Sequence, residues 1–188
     1  MTEDKLIELL KEGDPAALER LFLLYKDKVF NTAISYMQNK EDAEEITQDV
    51  FVELFNSAAG FKGNSGISTW IYRITVNKSL DAIRFRSRKK RFAVIRSIFS
   101  STTGELEIDK ADFFHPGIET DMKEDSAALF KALDKLPPNQ KTAFILSKIE
   151  GLSNKEISEI IGVSLSSVES LMFRAKQNLR KILESYFK

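Results

Sequence analysis

The chain has 188 residues, 43% of them apolar and 30% charged, with 28 basic and 28 acidic side chains, one histidine and no cysteine. That length suits one ordinary domain or two small ones with real cores, and the missing thiols exclude disulfides, thiol catalysis and the usual structural zinc sites. No apolar run approaches the length needed to cross a bilayer, and the acidic start Met1-Thr2-Glu3-Asp4-Lys5 opens an amphipathic pattern unlike a signal peptide, so a cytoplasmic protein without metal or cofactor is expected.

Nearly every ordered stretch carries a helical period. Gly13 closes a first short helix, and Asp14-Pro15 opens a second, a capping carboxylate followed by proline at the first helical position. Leu18, Leu21, Phe22, Tyr25, Val29, Ala33 and Ile34 then recur at helical spacing. A third helix is expected over 41–59, burying Ala43, Ile46, Val50, Phe51, Leu54 and Phe55. Its other face gathers Asp42, Glu45, Asp49 and Glu53, by spacing alone a solvated acidic stripe, and one that repels phosphate. Gly60 to Gly66 reads as a loop.

A fourth helix starts near Ser68 or Thr69 and runs to the basic stretch around Arg88 to Arg91. Ile71, Ile74, Ala82 and Phe85 form one apolar side, and Tyr72, Val76, Leu80 and Ile83 another. Between them lies a stripe of Trp70, Arg73, Asn77, Asp81, Arg84 and Arg88. Aromatic, guanidinium and amide groups in one stripe are the chemistry of single-stranded nucleic acid: stacking, phosphate neutralisation and base-edge hydrogen bonds. Simple packing is the plainer account of Trp70.

From Ala93 to Ser126 the period fails, across Ser-Ser-Thr-Thr-Gly and His115-Pro116-Gly117. This is too long for a loop inside one compact domain. The expected fold is therefore all-α, with two helical domains, 1–92 and 127–188, joined by a flexible linker over 93–126. Charge follows the same blocks: net −6 over 1–67, +7 over 68–92, −5 over 93–127 and +4 over 128–188, as expected of surfaces that meet different partners.

In the last block Pro137-Pro138 ends one helix and opens the next, which Gly151 closes. Ser153 and Glu156 have capping-box spacing, with Leu152 and Ile157 placed as a hydrophobic staple. A short helix over 154–161 buries Ile157, Ile160 and Ile161; Gly162-Val163-Ser164 turns; and a longer helix follows, capped by Ser164. Val168, Leu171, Met172, Ala175, Leu179 and Ile182 share its inner face. Its outer face carries Ser166, Ser170, Phe173 and Gln177, flanked by Glu169, Arg174, Arg180 and Lys181. This is a helix-turn-helix whose second helix has the groups of a major-groove reader, although an ordinary helical hairpin would share much of the pattern. Phe173, large and apolar on the wet face, calls for a partner such as a thymine methyl.

Taken together, these residues resemble a family. Asp42-Ala43-Glu44-Glu45-Ile46-Thr47-Gln48-Asp49-Val50-Phe51 is similar to the polymerase-clamp-binding helix of extracytoplasmic-function (ECF) sigma factors, in the sigma-70 family, and Ser68 through Asn77 to their promoter-melting helix. Leu136-Pro137, Gly151-Leu152-Ser153 and Val168 through Ala175 resemble their C-terminal module. The resemblance implies that Asp42, Glu45, Gln48 and Asp49 dock on the clamp helices of RNA polymerase core. It implies that the loop with Phe61, Lys62, Asn64 and Ser65 captures a flipped base of the minus-ten element, and that Asn77, with Arg73, Arg84 and Arg86, binds the exposed strand. Ser166, Glu169, Ser170, Phe173 and Arg174 would read the minus-thirty-five element as duplex. The linker would thread near the polymerase active centre, and an anti-sigma factor is a further expected partner. Glu169 departs from the family, many members of which carry a cation there.

Two other classes compete with this reading. A stand-alone helix-turn-helix regulator would bind operator duplex tightly without polymerase, but leaves the acidic helix unexplained. An enzyme would have to work without cysteine, without a phosphate-cradling glycine loop and with the single histidine His115 in the least ordered stretch.

Overall fold

The computed structural model describes residues 2–99 and 123–184, with side chains described for 2–89 and 126–184. Helix α1 (Glu3–Lys11) buries Leu6 and Leu10 and is followed by Gly13 at φ +80°. Helix α2 (Pro15–Met37) begins as its sequence demands, with the Asp14 carboxylate accepting from the Ala16 amide at 2.9 Å. Leu21, Tyr25, Val29, Ala33 and Ile34 are buried as the period requires, while Phe22 stays 37% exposed. Helix α3 (Lys40–Ser57) is capped by Asn39, whose side-chain oxygen accepts from the Asp42 amide at 2.9 Å. A short 3-10 turn (Ala58–Gly60) hands the chain to the loop and then to α4 (Ile67–Phe99).

Helix α4 is longer than its period suggests: its backbone stays helical to Phe99, past the boundary expected at residue 92. No glycine or proline stands between Gly66 and Gly104, so nothing in the sequence terminates it earlier. Phe85, expected in the core, is 68% exposed, because α4 has by then run beyond the helices that cover its first half. Of the linker expected over 93–126, residues 100–122 lie outside the described residues, as does His115.

The second half contains α5 (Lys123–Leu133), α6 (Pro138–Phe144), a π-helical turn (Ile145–Ile149), α7 (Asn154–Ile161) and α8 (Leu165–Glu184). Helix α5 begins four residues before the expected Ala127. The α7 boundaries match the sequence expectation, and both halves of the capping box form: the Ser153 amide donates to Glu156 Oε2 at 2.8 Å and the Glu156 amide to Ser153 Oγ at 3.3 Å. The Ser153 hydroxyl also donates to Glu156 Oε2 at 2.7 Å, and these bonds hold the Glu156 carboxyl below the usual carboxylate range. Gly162 makes the turn into α8 at φ +77°, a conformation that would strain any side chain.

The two halves are joined by one continuous core. Ile145, Leu146, Ile157 and Ile160 of the second half cluster with Ile34, Ile71, Tyr72 and Val76 of the first. A polar seam surrounds this contact. Tyr36 donates to Thr142 Oγ1 at 2.8 Å, and Lys141, only 4% exposed, places its ammonium 2.6 Å from Asp134 and 3.4 Å from the Tyr36 carbonyl oxygen. Gln38 is the only non-glycine with positive φ among the described residues, at +54°. Its side chain donates to Asp134 Oδ2 at 2.8 Å and to the Phe130 carbonyl at 3.4 Å, contacts that offset the cost of that backbone.

At the other end of the seam, Tyr72 donates to Glu150 Oε2 at 3.3 Å, while the buried Oε1 has no partner. Thr32 lies beside it, but its hydroxyl proton already goes to the Lys28 carbonyl at 2.9 Å. Burial pushes the Glu150 carboxyl above the usual carboxylate range, with the neighbouring Thr32, Tyr72 and Lys28 acting in the opposite direction. A raised carboxyl holds its proton more tightly in the folded chain than in the unfolded one. Its share of stability is therefore fullest below the unfolded value and is lost as pH rises through the folded one. Glu150→Gln is expected to make the melting temperature flatter with pH across that window and higher at neutral pH; an unchanged pH profile would show the carboxylate to be solvated.

Candidate nucleic-acid interface

The loop after the 3-10 turn is held by a ring stack. Phe61 lies over Trp70 at 4.3 Å between centroids and 20° between planes, and the Lys11 ammonium sits 5.8 Å from the Phe61 centroid. The stack uses one face of each ring and fixes the loop to the first turn of α4, so packing accounts for Trp70. Gly63 takes φ +72°, which turns the chain back toward α4. The result is a cleft of about 370 Å³ lined by Ser57, Gly60, Phe61, Lys62, Asn64, Ser65, Trp70 and Arg73. It has two cations, one amide, hydroxyls and aromatic edges, and no carboxylate.

Five expected site residues thus meet in one place: Phe61, Lys62, Asn64, Ser65 and Arg73. The remaining ones on α4 do not line this cleft. Asn77 is exposed one turn beyond Arg73. Arg84 pairs with Asp81 at 2.7 Å, and Arg86 pairs with Asp42 on α3. Arg73 itself donates from Nη2 to the Glu159 carbonyl of α7 at 2.6 Å. Its guanidinium is therefore shared between the cleft rim and the second half of the chain.

On α3, Glu45, Gln48 and Asp49 are exposed and Asp42 is partly covered. Glu53 leaves this group to pair with Lys78 at 3.5 Å. Val52, 58% exposed, stands on the same face, and Phe22 of α2 meets Phe51 edge-on at 4.9 Å. The face is thus acidic with an apolar edge, a combination suited to a basic protein partner and unsuited to phosphate.

On α8, Ser166, Glu169, Ser170, Phe173 and Arg174 line a trough of about 470 Å³, and Phe173 is 63% exposed. Val168, Met172, Ala175 and Leu179 are buried behind them, so the inner and outer faces fall where the period puts them. Ser164 caps the helix, its hydroxyl accepting from the Ser167 amide at 3.2 Å.

The buried hydroxyls of Thr32, Ser35, Thr47 and Thr75 each donate to the carbonyl four residues earlier, and no group of three or more His, Asp or Glu side chains that could hold a metal ion occurs among the described residues.

Sigma-70 region 2 matches residues 21–89, and sigma-70 region 4 matches residues 126–179. The chain is 30% identical over 181 residues to the ECF RNA polymerase sigma factor SigW of Bacillus subtilis, covering 95% of each protein. It belongs to the ECF RNA polymerase sigma factors. This sigma factor has the fold of CnrH, solved in complex with the cytosolic domain of CnrY (TM-score 0.69, 20% identity, 97% of both chains). It also resembles the sigma factor RpoE of Bartonella quintana, solved in complex with the anti-sigma factor NepR (TM-score 0.61, 23% identity, 88% of this chain and 96% of that one). As a sigma factor it is a transcription initiation factor that engages RNA polymerase core and promoter DNA through regions 2 and 4. No helix among the described residues is long and apolar enough to cross a membrane.

Sequence reasoning missed Ser57 and Gly60 as lining of the loop cleft, and the whole seam between the halves. Ser57 carries no signal, since it reads as one more polar residue at a helix end.

Proposed function

We propose that this sigma factor recognises the minus-ten element as melted single strand through the 61–65 loop and α4, and the minus-thirty-five element as duplex through α8. The observation that carries the reading is the acid-free cleft where Lys62, Asn64, Ser65 and Arg73 meet beside stacked aromatics. A flipped base costs a few kcal/mol to extrude. Stacking and phosphate contacts offset this, at about 1–3 kcal/mol per stacked base. Binding unstacked bases favours the open duplex without nucleotide hydrolysis by this chain, and polymerisation stays with the core enzyme. Reaching the strand requires Arg73 to exchange the Glu159 carbonyl for a phosphate.

On the same reading, Glu45, Gln48 and Asp49, with Asp42, dock on the clamp helices of the core. Residues 1–92 serve core binding and melting, residues 93–126 are the connecting linker, and residues 127–188 position the complex upstream. The protein acts in the cytoplasm, and the NepR complex of the Bartonella relative supports an anti-sigma factor as a further partner. Run-off transcription by purified core on genomic fragments tests the proposal: new start sites are expected only when this chain is added. No new start on any fragment would overturn it.

A further inference from the structure

The outer face of α8 has an uneven supply of hydrogen-bonding groups. Ser170 donates its only hydroxyl proton to the Ser166 carbonyl at 2.9 Å. Ser166 Oγ lies 3.1 Å from Ser164 Oγ, which also meets Ser167 Oγ at 2.8 Å, so these hydroxyls are engaged with their own helix turn. Three groups in the trough remain uncommitted among the described residues: Glu169, Phe173 and Arg174, none of which has a hydrogen-bond or ion-pair partner. Glu169 sits between Ser166 and Phe173, three and four residues away, and so in the middle of the face that would enter a groove.

A carboxylate only accepts hydrogen bonds. At the floor of a major groove it has two possible donors, the amino groups of adenine and cytosine. The adenine amino group is flanked on both sides by acceptors, its own N7 and the O4 of the paired thymine. The cytosine amino group is flanked by an acceptor on one side only, the O6 of the paired guanine, with an apolar C–H on the other. A carboxylate with two negative oxygens is therefore repelled less at cytosine, and guanine and thymine offer it no donor. Phe173 lies about 6 Å further along the helix, close to two base steps, in reach of a thymine methyl.

Resting on the duplex reading of α8, we propose that Glu169 is a specificity-determining residue that selects a cytosine in the upstream promoter element. The amide of a glutamine would instead match the donor-acceptor pair of adenine.

The test selects duplexes randomised across the upstream element with holoenzyme containing the wild-type chain, E169Q, E169A or R174A. Glu169 is exposed and unpaired, so these variants leave the fold intact. Wild type is expected to fix one cytosine by roughly tenfold over the other bases. E169Q should move that preference to adenine, E169A should erase it, and R174A should weaken binding while keeping the cytosine. An enriched element whose cytosine survives E169A, or an element without a fixed cytosine, overturns this assignment alone. No enriched upstream element with any chain overturns the duplex reading of α8 along with it.

Discussion

Asp134→Ala is expected to destabilise the folded chain by about 2 kcal/mol, whereas Lys141→Met should cost less than about 1 kcal/mol. The asymmetry comes from where the two charges sit. The Lys141 side chain is 5% exposed and that of Asp134 is 51% exposed, with 2.6 Å between Nζ and Oδ1. Removing the carboxylate leaves an ammonium that water barely reaches, with the Tyr36 carbonyl at 3.4 Å and the Tyr36 ring at 5.3 Å as its remaining company. Removing the ammonium leaves a carboxylate that water and Gln38 already solvate. The cost is kept below that of a fully enclosed pair because Asp134 is half in solvent. The double variant should recover most of the Asp134→Ala loss, since the stranded charge is gone, and fall short of Lys141→Met only by the lost Gln38–Asp134 bond. Urea midpoints at unchanged m value measure all three. An Asp134→Ala variant as stable as wild type would mean that water enters the seam.

The second large effect concerns polymerase. Reversing Glu45 and Asp49 together to lysine is expected to weaken binding to the core about 100-fold, taking each reversal as roughly 1.4 kcal/mol. These two are chosen because they are exposed and unpaired among the described residues, whereas Asp42 is tied to Arg86 and Glu53 to Lys78. The melting temperature should therefore stay within a degree or so of wild type, which separates lost docking from lost folding. Competition with the unaltered chain for labelled core gives the affinity. Salt should weaken the unaltered complex more than the variant one. Unchanged affinity in the double variant would remove α3 from the polymerase contact.

Both halves were legible because their signals are local. The cap at Asp14, the capping box at Ser153 and Glu156, and the turn at Gly162 each depend on residues within four positions. The inner and outer faces of α8 follow from helical spacing alone, as does the exposure of Phe173. The far end of α4 is not readable from periodicity, which reports burial and not helicity: Ala82 and Ile83 still pack on the core, but residues 84–89 are exposed while the backbone stays helical to Phe99. The π-helical turn left no trace in the sequence, because its extra residue is accommodated by one shifted set of backbone bonds, including the Glu150 amide to the Ile145 carbonyl at 3.1 Å. The seam was invisible for a different reason. Tyr36 and Thr142 are 106 positions apart, and neither residue is unusual where it stands. Phe61 and Trp70 each stand out in the sequence, but their stacking depends on the fold that brings the loop against α4.

The shared core also bears on how the protein is made. Ile34, Ile71, Tyr72 and Val76 leave the ribosome well before Ile145, Leu146 and Ile157, the residues that cover them. With 69 positions between Val76 and Ile145 and 111 between Ile34 and Ile145, and synthesis at about 5–20 residues per second, that greasy face waits roughly 3 to 22 s for its lid. During that interval the nascent chain is a natural client for chaperones, and a truncated product ending before Pro138 would keep the same sticky surface for life.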